Sequence, residues 1–484
     1  MESLHKVMAE REGFEPSRGI APPYRFSKPT PSASWVPLHL GLSGSHYTNV
    51  FVFGDHNIIE IPINIYTLLI MREKLSGFFA PTWQQTILFA PILAVLIFVL
   101  ASGLTIHHQQ QFSMLAQSLL HGKLYFLHPI GGLGSDPVFF GSHIYWSEGI
   151  FPALALVPFV AIANLFNAFF YQGYLSLFLT LGIIWFIYKL ARKLQYSSED
   201  SILFGLVFTL GSVFIGVSAI SASWYYEQVV TTFLLFWGLY EFFGREKIHW
   251  WLLGVISGLL VLTRPTAAPI FIFFLLELFY LSKKDSWKWG MSKLLQLAPF
   301  VIASIGIVAL YNYLRFHNIF ETGFKYILLN PISINSRNLG TISPIHIPAN
   351  LYSLLLRSPL GVLRSAKGWT LKFPFIENNS LGMSIFVTSP YFIYFFTRKW
   401  NDYKKREYKF LLIAALISLA GVVCYFGIGM NQYGYRYQLD FMPLLFYLFM
   451  AIYKDHHSKI NTGMKSLMVF SIFFNFYLVL TYIF

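Results

Sequence analysis

The sequence predicts an all-α polytopic integral membrane protein of about 11 transmembrane helices, and three observations carry that prediction. Of its 484 residues, 55% are hydrophobic and 12% are charged, where a soluble domain carries about 25% charged residues. Several apolar runs approach or exceed the roughly 20 residues that cross a hydrocarbon core. Aromatic residues make up 19% of the chain, which suits lipid-facing surfaces and interfacial belts. The net charge of +13 does not point to nucleic acid, because Lys and Arg cluster in short segments between apolar runs. A single cysteine, Cys424, excludes an intrachain disulfide and a Cys-rich metal site.

Residues 1–70 stand apart. Their first forty positions hold Pro16, Pro22, Pro23, Pro29, Pro31 and Pro37 with no periodic apolar pattern, a composition expected to be disordered. No continuous apolar run follows a basic start, so this is not a signal peptide. The run Arg11-Glu12-Gly13-Phe14-Glu15-Pro16-Ser17 resembles a peptide read from a bacterial transfer-RNA gene. Residues 1–70 are therefore expected to be a disordered extension or one foreign to the natural protein, whose start would then be Met71, and 71–484 to be the transmembrane domain.

The first span is expected over 86–106, and a polar stretch with an amphipathic helix at Gln111–Leu120 follows it. Segment 151–169 is apolar but carries Pro152, Pro158, Asn164 and Asn167. If both it and 174–190 crossed, Arg192 and Lys193 would fall opposite Arg72 and Lys74. Segment 151–169 is therefore expected to lie along the outer surface, within a membrane-parallel first outer loop, 107–173. Spans then alternate near 201–220, 228–243, 249–263, 265–281, 293–314, 384–397, 410–430, 437–453 and 466–482. The inner links hold Arg245 and Lys247, then Lys283, Lys284 and Lys288, then the basic run 398–409, then Lys454, Lys459 and Lys465. This assignment puts the basic clusters inside, as the positive-inside rule requires. A second long outer loop, 316–381, contains Pro331, Pro344, Pro348, Pro359 and Pro374 and is expected to form surface helices. Its apolar stretch 351–363, broken by Arg357 and Pro359, either rests on lipid or grips an acceptor.

Ionisable groups at membrane depth are costly and face a cavity or a partner, so they are functional candidates. On the outer side this threading gathers Asp136, Glu148, Glu227, Arg264, Arg315, Arg436 and Asp440. Arginines can clamp a lipid-borne phosphate bidentately, while a carboxylate accepts a proton from an attacking hydroxyl. Each residue also has a structural reading. Arg436 and Asp440 stand i, i+4 and can neutralise one another. Arg264 precedes the helix-breaking Pro265 and can satisfy freed carbonyls. Glu227 can cap a span, and Asp136-Pro137 can be a turn. His107, His108 and His143 show no fixed metal-ligand spacing, so metal dependence stays open and a divalent cation is compatible.

These segments resemble those of the bacterial C-type membrane glycosyltransferases, the class that includes protein O-mannosyltransferase-like and aminoarabinose-transferase-like enzymes. Leu115-Ala116-Gln117-Ser118-Leu119-Leu120-His121-Gly122-Lys123-Leu124-Tyr125 is similar to that family's first-loop helix. Trp224-Tyr225-Tyr226-Glu227, Leu262-Thr263-Arg264-Pro265-Thr266, Tyr311-Asn312-Tyr313-Leu314-Arg315-Phe316 and Gly434-Tyr435-Arg436-Tyr437 with Asp440 complete the set, in the family's order. The resemblance implies a cell-membrane, multi-pass enzyme of the bacterial envelope with an extracytoplasmic site. It implies inverting transfer of a sugar from polyprenyl phosphate to a hydroxyl on a protein, lipid or glycan, with no nucleic acid involved. It places catalysis on Glu227, Glu148 or Asp136, Glu227 being the first choice. Donor binding falls to Arg264, Arg436 and Arg315, with Tyr225, Lys123 and Asp440 beside them. The chain departs from the family just after the first span, where an aspartate is usual and His107-His108-Gln109-Gln110-Gln111 stands here. The rival expectation is a transporter or flippase for a lipid-linked or anionic substrate, since broken apolar segments also mark transporter sites.

Overall fold

The computed structural model describes residues 47–54, 57–64, 83–105, 107–129, 136–365 and 368–484. The chain divides into two compact units, 1–83 and 84–484. Within the first, β1 (Tyr47–Gly54) and β2 (Asn57–Asn64) form an antiparallel hairpin in which Tyr47 faces Asn64 and Gly54 faces Asn57. Both strands are rich in Val, Ile and Phe, residues that favour a pleated surface. The Pro-rich residues 1–40 lie outside the described residues.

The second unit is mostly helical. It begins with α1 (Trp83–Gly103), α2 (Gln111–Leu120), a short hairpin of β3 (Val138–Phe140) and β4 (His143–Tyr145), and α3 (Phe151–Leu165). Helix α2 packs along α3. Next come α4 (Gln172–Lys193), α5 (Ser198–Leu210), α6 (Phe214–Ala219) and α7 (Ser223–Leu239). Then follow α8 (Trp250–Thr263), α9 (Ile270–Lys284) and α10 (Trp287–Phe316). The stretch 316–381, expected as the second long outer loop, carries α11 (Pro331–Asn338), α12 (Ile347–Leu355) and a hairpin of β5 (Leu360–Ser365) with β6 (Gly368–Glu377). The chain closes with α13 (Ile385–Thr388), α14 (Arg406–Val423), α15 (Met442–His456) and α16 (Thr462–Ile483). Helices α4, α10 and α16 are long and apolar enough to cross a membrane, by length and composition.

Helix starts follow ordinary capping chemistry. The side chains of Ser197, Ser286 and Asn461 each accept a hydrogen bond from a backbone N–H three residues on. Several expected spans prove to be broken, and each break has a local cause. Segment 201–220 splits at Gly211, the C-cap of α5, and restarts as α6. Segment 384–397 is one α-turn followed by a 3₁₀ segment, Pro390–Thr397, because Pro390 lacks the N–H that would continue the helix. Segment 437–453 opens as a 3₁₀ turn, Arg436–Asp440, before α15. The long outer loop holds a β-hairpin as well as the expected surface helices.

The helices share one continuous apolar core. Helix α8 lies against α10 over much of its length. A methyl group on Gly254 would stand 2.3 Å from the carbonyl oxygen of Leu297, and one on Gly258 would stand 2.4 Å from Ser304 Oγ. Small residues let these two backbones touch, as in membrane helix pairs. That contact fixes the end of α8, and the end of α8 positions the site.

Candidate functional site

Pro265 ends α8. The residue before a proline is pushed out of the helical region, and Arg264 is extended, with φ −138° and ψ 102°. Its side chain therefore leaves the helix sideways and crosses to two other elements. Nε and Nη2 donate to Asp440 Oδ1 and Oδ2 at 2.8 and 3.0 Å, a bidentate pair, and Nη1 donates to Glu227 Oε2 at 3.0 Å. Thr266 Oγ1 donates to the same Asp440 Oδ2. Glu227 and Asp440 are both fully buried. The cap and i, i+4 alternatives thus give way to one triad joining α7, the α8–α9 break and the 3₁₀ turn.

Arg436 is held quite differently. Its guanidinium lies 5.5 Å from the ring centroid of Tyr225 and 5.0 Å from that of Tyr437. Among the described residues it makes no hydrogen bond or ion pair, and its Nε is buried without a partner. Tyr225 is anchored below it, its hydroxyl donating to the carbonyl of Asn431 at 2.8 Å. Tyr437 lies between both cations, with Arg264 5.6 Å from its centroid. Arg315, at the end of α10, is committed to structure. It donates to the carbonyls of Trp146 at 2.6 Å and Tyr311 at 3.3 Å, and to Asn312 Oδ1 at 2.9 Å.

These groups surround a cavity of about 340 Å³. Asp136, Glu148, Arg264, Arg315 and Arg436 all line it, brought from four separate stretches of chain. Its remaining wall is largely apolar: Val261 and Leu262 come from α8 and Val308 from α10, while Ile327, Leu329 and Ile342 come from the long outer loop. The two outer loops are stitched together at this wall, where the N–H of Leu328 donates to the carbonyl of Pro137 at 3.0 Å. On the other flank the N–H of Phe426 donates to the carbonyl of Thr341 at 3.1 Å.

Glu148 is half-buried and, among the described residues, makes no hydrogen bond or ion pair. Burial pushes its carboxyl above the ordinary range; Arg264 and Arg436 pull it back and Asp136 adds to the rise. Asp136 is raised as well, chiefly by burial, with Arg436 and a hydrogen bond from Trp224 opposing. Glu148 owes its position to its neighbour. A methyl group on Gly149 would meet the carbonyl oxygens of Thr263 and Leu262 at 2.2 and 2.3 Å, so only glycine lets the first outer loop press against the end of α8.

The expected site residues therefore fall into three groups. Glu148, Asp136 and Arg436 face the cavity. Arg264 and Arg315 reach it while engaged elsewhere. Glu227, Asp440 and Tyr225 sit behind its wall. Lys123 lies outside, exposed, with Nζ 5.9 Å from the Tyr125 centroid, so its expected donor contact is not made here. Among the described residues no group of three His, Cys, Asp or Glu is placed to hold a metal ion. The carboxylates of Glu227 and Asp440 are already taken by Arg264. Sequence reasoning missed Tyr437, Tyr425 and Thr266. Tyr437 and Thr266 lie inside motifs already singled out, whereas nothing in the sequence marked Tyr425. The chain matches no protein-family model, no curated protein and no solved structure.

Proposed function

We propose that this chain is a membrane glycosyltransferase of the C-type class, moving a sugar from a polyprenyl-phosphate donor to an acceptor hydroxyl on the extracytoplasmic face. The observation that supports the reading is the pairing of one unengaged carboxylate, Glu148, with one unengaged guanidinium, Arg436, on a mostly apolar cavity. Arg436 is buried and, among the described residues, spends none of its donors on a hydrogen bond or ion pair, so the cavity favours an anionic ligand. The apolar walls favour a ligand that brings a hydrocarbon chain. In this reading the chain crosses the inner membrane about 11 times, counting its broken segments, and the cavity opens outward.

The acceptor oxygen attacks the anomeric carbon as the bond from that carbon to the phosphate oxygen breaks. The bonding pair leaves on the phosphate, and the acceptor proton passes to Glu148. The transition state is oxocarbenium-like, as in glycoside hydrolysis. Arg436 meets the charge that builds on the departing phosphate. Arg264 supports it from behind the Tyr437 ring, its own charge offset by Asp440 and Glu227. Geometry thus ranks Glu148 above Glu227 as the base, since Glu227 is buried and already accepts from Arg264. No step is routed through a metal.

The test is a transfer assay on purified protein with radiolabelled polyprenyl-phosphate sugars and cell-envelope acceptors. Label transfer that disappears in Arg436→Gln supports the reading. Binding of the lipid phosphate without transfer, together with its movement across proteoliposomes, would replace it with a flippase.

A further inference from the structure

Hairpin β5–β6 exposes apolar side chains on an outer loop where a water-facing segment would be polar. Phe373 is 77% exposed, and Phe375, Leu363 and Leu371 are about half exposed. The rings of Phe373 and Phe375 lie 6.1 Å apart, edge to face, so they form one patch. Lys372, between Leu371 and Phe373, is exposed too.

The base of this hairpin is fastened to α16, one of three helices among the described residues that are long and apolar enough to cross a membrane. Tyr477 donates its hydroxyl hydrogen to the carbonyl of Pro374. The N–H of Asn378 donates to Thr481 Oγ1 at 3.0 Å. Tyr477 lies six residues before the end of α16, which at 1.5 Å per residue is about 9 Å below it. Strand β6 therefore runs beside the last turns of a spanning helix, at the depth where amphipathic elements bury their apolar faces in a bilayer surface. Pro374 carries no N–H, and its carbonyl is satisfied by Tyr477, so the backbone at this point tolerates an apolar surrounding.

We infer that hairpin β5–β6 is a lipid-anchoring wedge that inserts Phe373 and Phe375 into the outer membrane–water interface, with Lys372 reaching the headgroup phosphates. The occupant of this surface is the bilayer itself, because the patch continues the lipid-facing side of α16, where Phe470 and Phe473 are also exposed. Lys372, an exposed cation beside the apolar patch, fits an anionic headgroup by snorkelling. The wedge also braces the site. Beyond it, Asn378 Nδ2 donates to the carbonyl of Gln432 at 3.0 Å. The N–H of Gln432 donates to the carbonyl of Ser380, and the N–H of Tyr435 to that of Met383, each at 3.1 Å. The strand leaving the wedge is thus hydrogen-bonded to the segment that leads into Arg436.

The inference concerns the membrane surface alone and stands whether or not sugar is transferred. Its test uses the full chain in nanodiscs of phosphatidylcholine and phosphatidylglycerol. With Cys424→Ser as background, Phe373→Cys carries an environment-sensitive fluorophore. The expected result is blue-shifted emission, lost with doxyl-labelled lipid and unaffected by aqueous iodide. Lys372→Cys, which removes no buried group, serves as the second variant, and shallow doxyl quenching is expected there. Iodide quenching at both positions without doxyl quenching overturns the wedge. Iodide quenching relieved only by added envelope protein overturns it in favour of a protein-docking surface.

Discussion

Arg264 gives both edges of its guanidinium away: Asp440 takes Nε and Nη2 at 2.8 and 3.0 Å, and Glu227 takes Nη1. The cation that stands most conspicuously in the sequence, between two apolar half-segments, is therefore already engaged on all three of its nitrogens. Arg436, two residues after the tyrosine-flanked Gly434, keeps its donors unspent.

Arg264→Ala consequently tests the fold before it tests the chemistry. It strands two buried carboxylates beside each other, and breaking a buried pair in this way costs about 3–5 kcal/mol. The expected outcome is a marked fall in the melting temperature of the detergent-solubilised protein. Adding Glu227→Gln and Asp440→Asn should recover much of it. Unchanged melting in Arg264→Ala would show that the triad is not formed.

Arg436→Gln should behave in the opposite way. It removes a buried charge that makes no hydrogen bond or ion pair among the described residues, so the melting temperature should change far less than in Arg264→Ala. Binding of polyprenyl phosphate should weaken severely, and turnover should fall by about 10²–10³-fold, as when one preorganised donor is removed. Parallel thermal melts and lipid-binding titrations of the two arginine variants separate the scaffold from the receptor.

The helical class and most helix positions were legible because apolar runs and basic flanks report directly on a lipid environment. The amphipathic helix Gln111–Leu120 emerged with its expected bounds. The breaks were harder to read. Pro390 and Gly211 interrupt runs whose hydropathy is continuous, and hydropathy does not register a missing N–H or a helix cap. For the site, outer-side charge selected Glu148, Asp136 and Arg436, all of which line one cavity. It could not tell an engaged arginine from an unengaged one, because the partners of Arg264 lie 37 and 176 residues away. Nor could it exclude Lys123, whose charge looks the same whether it faces a cavity or open surface.

Glu148 acting as a base must be ionised, so transfer should rise with pH. Because burial raises its carboxyl, the midpoint in kcat/KM should lie above the roughly 4.3 of an ordinary glutamate. Asp136 contributes to that rise, so Asp136→Asn should move the midpoint down. Glu148→Gln should abolish the pH-dependent rate while leaving lipid binding in place. A profile that falls as pH increases, or that ignores Asp136→Asn, would remove Glu148 from the role.

Gly149→Ala makes the sharpest test of how the site is assembled, because it alters no functional group. The added methyl would stand 2.2 and 2.3 Å from the carbonyl oxygens of Thr263 and Leu262. Those are backbone atoms at the end of α8, fixed by the close α8–α10 contact, so the first outer loop must retreat instead. Its retreat carries Glu148 away from Arg436 and strains the Arg315 bond to the Trp146 carbonyl. Forcing extra volume into a packed contact typically costs about 1–3 kcal/mol, a loss the folded protein should survive. Positioning errors of about 1 Å can lower turnover about 10²-fold, so kcat should fall while the affinity for polyprenyl phosphate, set by Arg436, changes little. Equal losses in both would mean that loop and receptor move as one body, and an unchanged kcat would mean that Glu148 is not held by this contact.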